Sequence, residues 1–249
     1  MYFKLLGCKI FEREIASVTY NCKNMVDVSL IKQKIHETPK KLHELVQHEI
    51  DLIDQNAENH SNDTTIVDYD AILLGYGLCT GVSMGLRSKK YPIVIPRVHD
   101  CVALFMGDKQ MYKDYYFTHP GTFYSSPGFT ETSYFKNDRE DERLMAQCMR
   151  RYKGNEKLAK KAFVIEKSLT AQYKRISYIK WDELDFPEYI ERNRMNAEKQ
   201  GWDFEVLNGS NSIFKKLVEG DWDEEHFLIV PPGKTAAESY GEDLMTIVD

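Results

Sequence analysis

The chain has 249 residues, 42% of them hydrophobic and 29% charged, with a formal net charge of −6. That apolar content excludes an intrinsically disordered chain, and the acidic balance leaves no basic footprint for nucleic acid or an anionic membrane. No run approaches the ~20 consecutive apolar residues that span a bilayer, and the stretch Met1–Cys8 is too short for a signal peptide. The expected location is therefore the cytoplasm, where thiols stay reduced and the five cysteines are read as ligands or catalysts rather than disulfide partners.

Apolar runs alternate with amphipathic stretches along the chain, the pattern of βαβ units. In the first half the expected strands are Tyr2–Gly7, Met25–Leu30, Ala71–Gly75 and Pro92–Pro96. Helices are expected over Ile10–Val18, Pro39–Asp54 and Gly81–Ser88. For the second of these Thr38 is the N-cap, with proline at the first helical position. Polar residues Ala57–Thr65 read as an exposed loop. A helix beginning near Asp100 runs to about Met111, followed by a long aromatic loop, Tyr115–Thr130, with two Pro-Gly pairs. Helices over Asp138–Tyr152 and Asn155–Gln172 follow. The alternation then resumes with a strand Arg175–Lys180, a helix Pro187–Gln200, a strand Asp203–Leu207, a helix Asn211–Glu219 and a strand His226–Val230. The predicted fold is α/β, with two Rossmann-like βαβ lobes of mostly parallel sheet and a cleft between them. Residues 1–135 form the first lobe and residues 136–249 the second.

The cysteines fall at informative places. Cys8 lies just past the first strand, Cys79 four residues past the strand ending at Gly75, and His99 and Cys101 just past the strand ending at Pro96. Parallel strands bring their carboxyl ends to one edge, where ligands bind. Three thiolates and an imidazole are a standard tetrahedral zinc set, and the sulfurs alone suit an iron–sulfur cluster. Cys148, inside a helix, and Cys22 read as packing residues.

The segment Gly75-Tyr-Gly77-Leu-Cys79-Thr-Gly81 is glycine-dense after a strand, which permits close backbone approach to a ligand. It matches neither the dinucleotide fingerprint nor a phosphate loop. Gly75, Tyr76 and Gly77 are candidate substrate-binding residues. Arg97 is a candidate for holding a substrate anion, and Asp100 for capping the next helix or for acid–base work. The aromatic loop is read as a lid, contributing Gly121 and Thr122 to binding and Tyr124 to catalysis. Lys234, in Pro231-Pro-Gly-Lys234 after the last strand, is placed at the same cleft. His43 and His48 lie five apart, not the four of a metalloprotease helix, and read as a solvated face.

The segments Leu74-Gly-Tyr-Gly-Leu-Cys79, Ile95-Pro-Arg-Val-His-Asp-Cys101 and Pro120-Gly-Thr-Phe-Tyr124-Ser-Ser-Pro-Gly128 resemble the family DUF1638. The later segment Asp221-Trp-Asp-Glu-Glu through Pro231-Pro-Gly233 extends the resemblance over nearly the whole chain. The resemblance implies a setting beside corrinoid-dependent methyltransferases. The pair His99-Asp-Cys101 with a further cysteine is similar to the zinc site of thiol-alkylating methyltransferases. The expected function is thus a zinc-binding enzyme or accessory protein of methyl transfer, acting on a small molecule, with a corrinoid protein or methyltransferase as partner. Two alternatives stand beside it: an iron–sulfur protein with a three-cysteine cluster, and a non-catalytic corrinoid- or partner-binding module. The last lacks the D-x-H-x-x-G stretch of corrinoid carriers.

Overall fold

The computed structural model describes the chain except for residues 34, 36–37, 57–67, 133–139, 240 and 242. The expected loop Ala57–Thr65 and the start of the helix expected from Asp138 lie outside the described residues. In chain order the elements are β1 (Tyr2–Cys8), α1 (Glu12–Tyr20), β2 (Met25–Ile31), α2 (Pro39–Asp54), β3 (Ala71–Gly75) and β4 (Ile93–Pro96). Then come α3 (Cys101–Met106), α4 (Lys109–Thr118), β5 (Thr122–Ser125), α5 (Pro127–Thr132), α6 (Glu140–Arg151) and α7 (Glu156–Thr170). The chain ends with β6 (Arg175–Lys180), α8 (Pro187–Gln200), β7 (Asp203–Asn208), α9 (Ser212–Glu219), β8 (Phe227–Val230), β9 (Thr235–Glu238) and β10 (Met245–Val248).

The chain divides into two compact units, and the division does not fall at one point in the sequence. The first unit is Met1–Asp114, Lys180–Asp185 and Asn208–Asp249; the second is Tyr115–Ile179 and Phe186–Leu207. In the first unit a five-stranded sheet runs β2-β1-β3-β4-β8. The first four strands are parallel, whereas β8 is antiparallel to β4. Strands β3 and β4 are buried at every residue, as parallel strands covered on both faces must be. One face packs Leu6, Ile72, Leu74 and Ile95 against Val46, Ile50 and Ile53 of α2. On the other face Phe11 sits 4.4 Å from Phe105 and 5.0 Å from Phe214, ring centre to ring centre. The exception to the apolar pattern is Lys4, wholly buried within β1 and paired at 2.8 Å with Asp27 of β2, which also accepts from the Tyr69 hydroxyl at 2.7 Å.

The second unit holds the three-stranded sheet β5-β6-β7, with β5 and β6 parallel. Helices α6 and α7 close a small core of their own around Cys148, Ala159 and Ala162. Helices α5 and α8 meet through Asn193 Nδ2, which donates to Thr130 Oγ1 at 2.8 Å.

Several expected elements take another form. The helix from Asp100 is two, because Gly107 stops α3 with a left-handed φ of 71°; a Cβ there would stand 2.1 Å from the Ser210 carbonyl oxygen. The expected helix Gly81–Ser88 is a 3₁₀ turn, Cys79–Gly81, followed by turns, since Gly81 and Gly85 take φ of 81° and 73°. The aromatic stretch 115–130 is not a loop: it contains the end of α4, all of β5 and the start of α5. Helix α2 starts at Pro39 as expected, but Thr38 makes no side-chain cap. None of the described helices is long and apolar enough to cross a membrane.

Candidate functional site

In the order β2-β1-β3-β4 the connections change direction between β1 and β3, and an open α/β sheet binds ligands at the carboxyl ends of the strands beside such a switch point. Cys8 is the last residue of β1, and Tyr76, Gly77 and Cys79 follow β3. Arg97, His99, Asp100 and Cys101 follow β4. The three cysteines that the sequence placed near strand ends are therefore delivered to one edge.

Two backbone hydrogen bonds fasten the loop after β3 to the loop after β4. Leu78 N donates to Val98 O at 2.9 Å, and Cys79 N to His99 O at 3.1 Å. A Cβ at Gly77 would stand 2.5 Å from Val98 O and 2.7 Å from Val98 Cγ2, so glycine is what lets the loops approach this closely. Cys79 itself takes a left-handed φ of 36°, a conformation that costs a residue with a Cβ about 1–2 kcal/mol. Strain of this kind collects at functional sites.

Cys8, Cys79 and Cys101 are half-buried thiols outside any disulfide, close enough that charge on one would act on the others. Burial is the main cause that raises all three thiols. It lifts Cys8 against a backbone hydrogen bond from Ile10. It lifts Cys79 to about 12, with the charges of Asp100 and Cys8 adding and backbone bonds at Gly77 and Cys101 opposing. Cys101 stands well above the ordinary thiol range, pushed further by Cys79, Asp100 and Cys8. Tyr76 packs into the apolar cluster that Cys8 and Cys79 border, and burial raises its hydroxyl too.

The remaining predicted residues are placed as follows. His99 is exposed, with 65% of its side chain accessible, and its Nδ1 lies 3.3 Å from Asp100 Oδ2. Asp100 caps α3: its Oδ1 accepts from Val102 N at 2.9 Å and Ala103 N at 3.3 Å, and its Oδ2 accepts from the Tyr112 hydroxyl at 2.6 Å. Among the described residues no group of three or more His, Cys, Asp or Glu is arranged as a metal-ion site. Gly75 is buried within β3 and paired with Gly7. The guanidinium of Arg97 donates to the carbonyls of Phe227 at 3.2 Å, and of Asp243 and Met245 at 2.7 Å each; it ties the β9–β10 hairpin to the sheet. Because β8 runs antiparallel, its end at Val230 lies beside the start of β4 at Ile93. Lys234 thus follows a strand that ends at the edge opposite the cysteines, and it pairs with Asp249.

Gly121, Thr122 and Tyr124 belong to the second unit. Gly121 takes a φ of 76° and packs against Gln172, and Thr122 Oγ1 donates to His119 O at 2.7 Å. The Tyr124 ring meets Tyr115 edge-on at 6.0 Å. The Tyr115 hydroxyl bonds Ser177 at 2.8 Å and Glu205, and Arg175 also reaches Glu205, at 3.3 Å. Of the two helix histidines, His48 is exposed, but His43 is half-buried with Nδ1 3.3 Å from Val82 O. Cys148 is a packing residue as expected, and Cys22 donates to Val218 O at 3.1 Å.

Sequence reading missed a pair just before β8. Asp223 Oδ1 lies 2.6 Å from His226 Nδ1 and accepts from His226 N at 2.9 Å, while Oδ2 pairs with Lys216 at 2.8 Å. The His226 carbonyl accepts from Arg97 N at 2.7 Å, so the pair sits beside the end of β4. Its only sequence signal is the D-x-x-H spacing at the start of an apolar run.

A family described as "Protein of unknown function (DUF1638)" matches residues 30–218. The match includes Cys79, His99 and Cys101; Cys8 and the late segment from Asp221 lie outside it. No curated protein and no solved structure matches the chain.

Proposed function

Because the chain belongs to the DUF1638 family, whose description names no activity, we propose its role from the site itself: Cys8, Cys79 and Cys101 bind a thiophilic metal ion, zinc in the first instance. The observation that carries this reading is the convergence of three reduced cysteines at the switch-point edge, one of them on left-handed backbone. In this reading the three thiols would rotate to close on the ion, with Cys79 and Cys101 carried on loops already fastened together.

Three protein ligands leave the fourth tetrahedral position exchangeable, the mark of a catalytic rather than a structural zinc. His99, exposed and turned to Asp100, stays outside the ligand set in this reading. A thiol or water entering the fourth position would be held deprotonated. In the methyl-transfer setting that the resemblance implies, Cys8, Cys79 and Cys101 would hold the metal, the metal would keep a substrate thiol deprotonated, and a corrinoid would supply the methyl group. The same three thiols would also carry an iron–sulfur cluster with one open iron.

Elemental analysis and a visible spectrum of anaerobically purified protein test the reading. Roughly one zinc per chain without colour is the expected result for a mononuclear site, with Cys79→Ala and Cys101→Ala losing the metal and Cys148→Ala keeping it. Iron with a brown colour selects the cluster. Equal metal retention in all the variants, or no metal under anaerobic loading, refutes the site.

A further inference from the structure

Of the three cysteines at the edge where β1, β3 and β4 end, two are held against each other by main chain. The bonds Leu78 N to Val98 O and Cys79 N to His99 O fasten the loop after β3 to the loop after β4. The Cys79 sulfur accepts the backbone N–H of Cys101, and charge on either side chain acts on the other. Cys8 is placed differently: its sulfur accepts from the backbone of Ile10, in its own stretch of chain. Asp100 caps α3 at Val102 N and Ala103 N, which leaves the Cys101 N–H to Cys79. Sulfur is a weak acceptor, and a serine hydroxyl would take that bond more strongly. The hydrogen bond alone therefore does not require cysteine at position 79.

Two thiols so placed can share a bond. A disulfide asks for Cβ atoms about 3.5–4.5 Å apart, and the Cys79 sulfur already meets a nitrogen that stands two bonds from the Cys101 Cβ. We propose that Cys79 and Cys101 form a reversible disulfide across the loops after β3 and β4, giving the edge a dithiol and a disulfide state. The oxidant is a small organic disulfide, and both cysteines are partly exposed to it. The thiolate of one cysteine attacks a sulfur of that molecule, whose S–S bond breaks and releases one thiol, leaving a mixed disulfide on the protein. The second cysteine then attacks the protein sulfur of the mixed disulfide and releases the other thiol. Two electrons pass from the pair to the small disulfide, and the two thiol protons end on the two released thiols. Forming the bond needs no metal, and it removes two of the three thiols from the metal site proposed above.

The full chain, treated with a chelator, is equilibrated anaerobically with oxidised and reduced glutathione at several ratios. It is then quenched with N-ethylmaleimide in denaturant and read by intact mass and proteolytic mapping. Buried thiols exchange slowly, so each mixture is followed until its mass stops changing. The expected product has Cys79 joined to Cys101, with Cys8, Cys22 and Cys148 alkylated. Cys8→Ser should form the same bond. Cys79→Ser and Cys101→Ser should form none, each stopping at a mixed disulfide with glutathione. The oxidised wild-type chain should unfold at a higher urea concentration than the reduced one, because closing the loop between the two residues restricts the unfolded chain. Dithiothreitol should reverse that shift.

A bond from Cys8 to either partner overturns the inference, as does a wild-type chain that stops at glutathione adducts or stays reduced at the most oxidising ratio. So does a disulfide that lowers the urea midpoint, because the folded loops would then hold the sulfurs away from disulfide geometry. If Cys79→Ser or Cys101→Ser fails to fold, mapping of the wild-type and Cys8→Ser chains decides alone. Zinc binding by the reduced chain is measured separately, so the metal reading and the disulfide can fail independently.

Discussion

Gly77→Ala adds one carbon where the structure has no room for it. The new Cβ would stand 2.5 Å from the Val98 carbonyl oxygen and 2.7 Å from Val98 Cγ2, inside van der Waals contact with backbone that cannot swing away. Gly77 lies outside the left-handed region, so alanine suits its φ and the effect is steric. Relief requires the loop after β3 to lift from the loop after β4, which breaks the bonds Leu78 N to Val98 O and Cys79 N to His99 O. Two backbone hydrogen bonds at 0.5–1.5 kcal/mol each amount to about 1–3 kcal/mol. If the metal needs Cys79 and Cys101 held together, binding must restore that contact. Affinity should then fall roughly fivefold to a hundredfold. Zinc competition against a chromophoric chelator measures the affinity, and urea unfolding measures the stability. Gly201→Ala is the control: it forces alanine into a left-handed φ, of 69°, but meets nothing within 4 Å. It should cost about 1–2 kcal/mol of stability and leave the affinity unchanged. A Gly77→Ala chain that loses stability but binds zinc like wild type would refute the idea that the clamped loops build the site.

Three further outcomes follow from other parts of the first unit. Arg97→Ala should free the β9–β10 hairpin, raising amide exchange over 235–248 while the rest of the sheet stays protected; Arg97→Lys should rescue only in part, since an ammonium lacks the guanidinium fork. Asp27→Ala should cost about 3 kcal/mol in urea unfolding, because it strips the buried Lys4 of the carboxylate it pairs with. Lys4→Met should cost clearly less, since Asp27 keeps some exposure and the Tyr69 bond. The reverse ranking would mean that the pair is not what holds Lys4 inside. Asp223 is held below the usual carboxylate range: burial opposes this, but bonds from Lys216 and His226 outweigh it. Its stabilising effect is therefore present above the unfolded value of about 4 and lost as pH falls from there toward the depressed folded value. Asp223→Asn should be less stable than wild type at pH 6, with the gap closing in acid; a gap that persists at low pH would contradict that.

The edge that gathers the cysteines was legible because β1, β3 and β4 are short apolar runs ending in glycine, proline or cysteine, and because a parallel sheet sends all such ends one way. Strand direction was not legible. The run Phe227–Val230 reads identically whichever way it enters, and only its antiparallel pairing with β4 sends Lys234 away from the cysteines. The two Pro-Gly pairs misled for a different reason. Pro120-Gly121 follows the end of α4, and Pro127 opens α5, so the prolines mark boundaries between elements where a single long loop had been read. The chemistry of Arg97 was hidden as well, because three carbonyls from 227, 243 and 245 are remote in sequence. His99 had the right neighbours in sequence, but its side chain turns to the capping carboxylate of Asp100.

The cysteines away from the edge show what a structural thiol looks like in this protein. Cys148 is wholly buried in a cluster with Ala159 and Ala162 on ordinary helical backbone, and Cys22 donates a hydrogen bond to the Val218 carbonyl. Neither requires strain. At the edge, Cys79 holds a left-handed conformation worth about 1–2 kcal/mol against folding, and the buried Tyr76 hydroxyl, with no partner among the described residues, costs about 1–3 kcal/mol more. Packing explains neither feature, since an alternative backbone or a phenylalanine would remove each. A ligand that binds the folded chain at a hundredfold excess over its dissociation constant contributes about 2.7 kcal/mol, the same size as those two costs together. On the proposed reading, binding at this edge would offset both costs, and the three thiols would favour a soft metal ion.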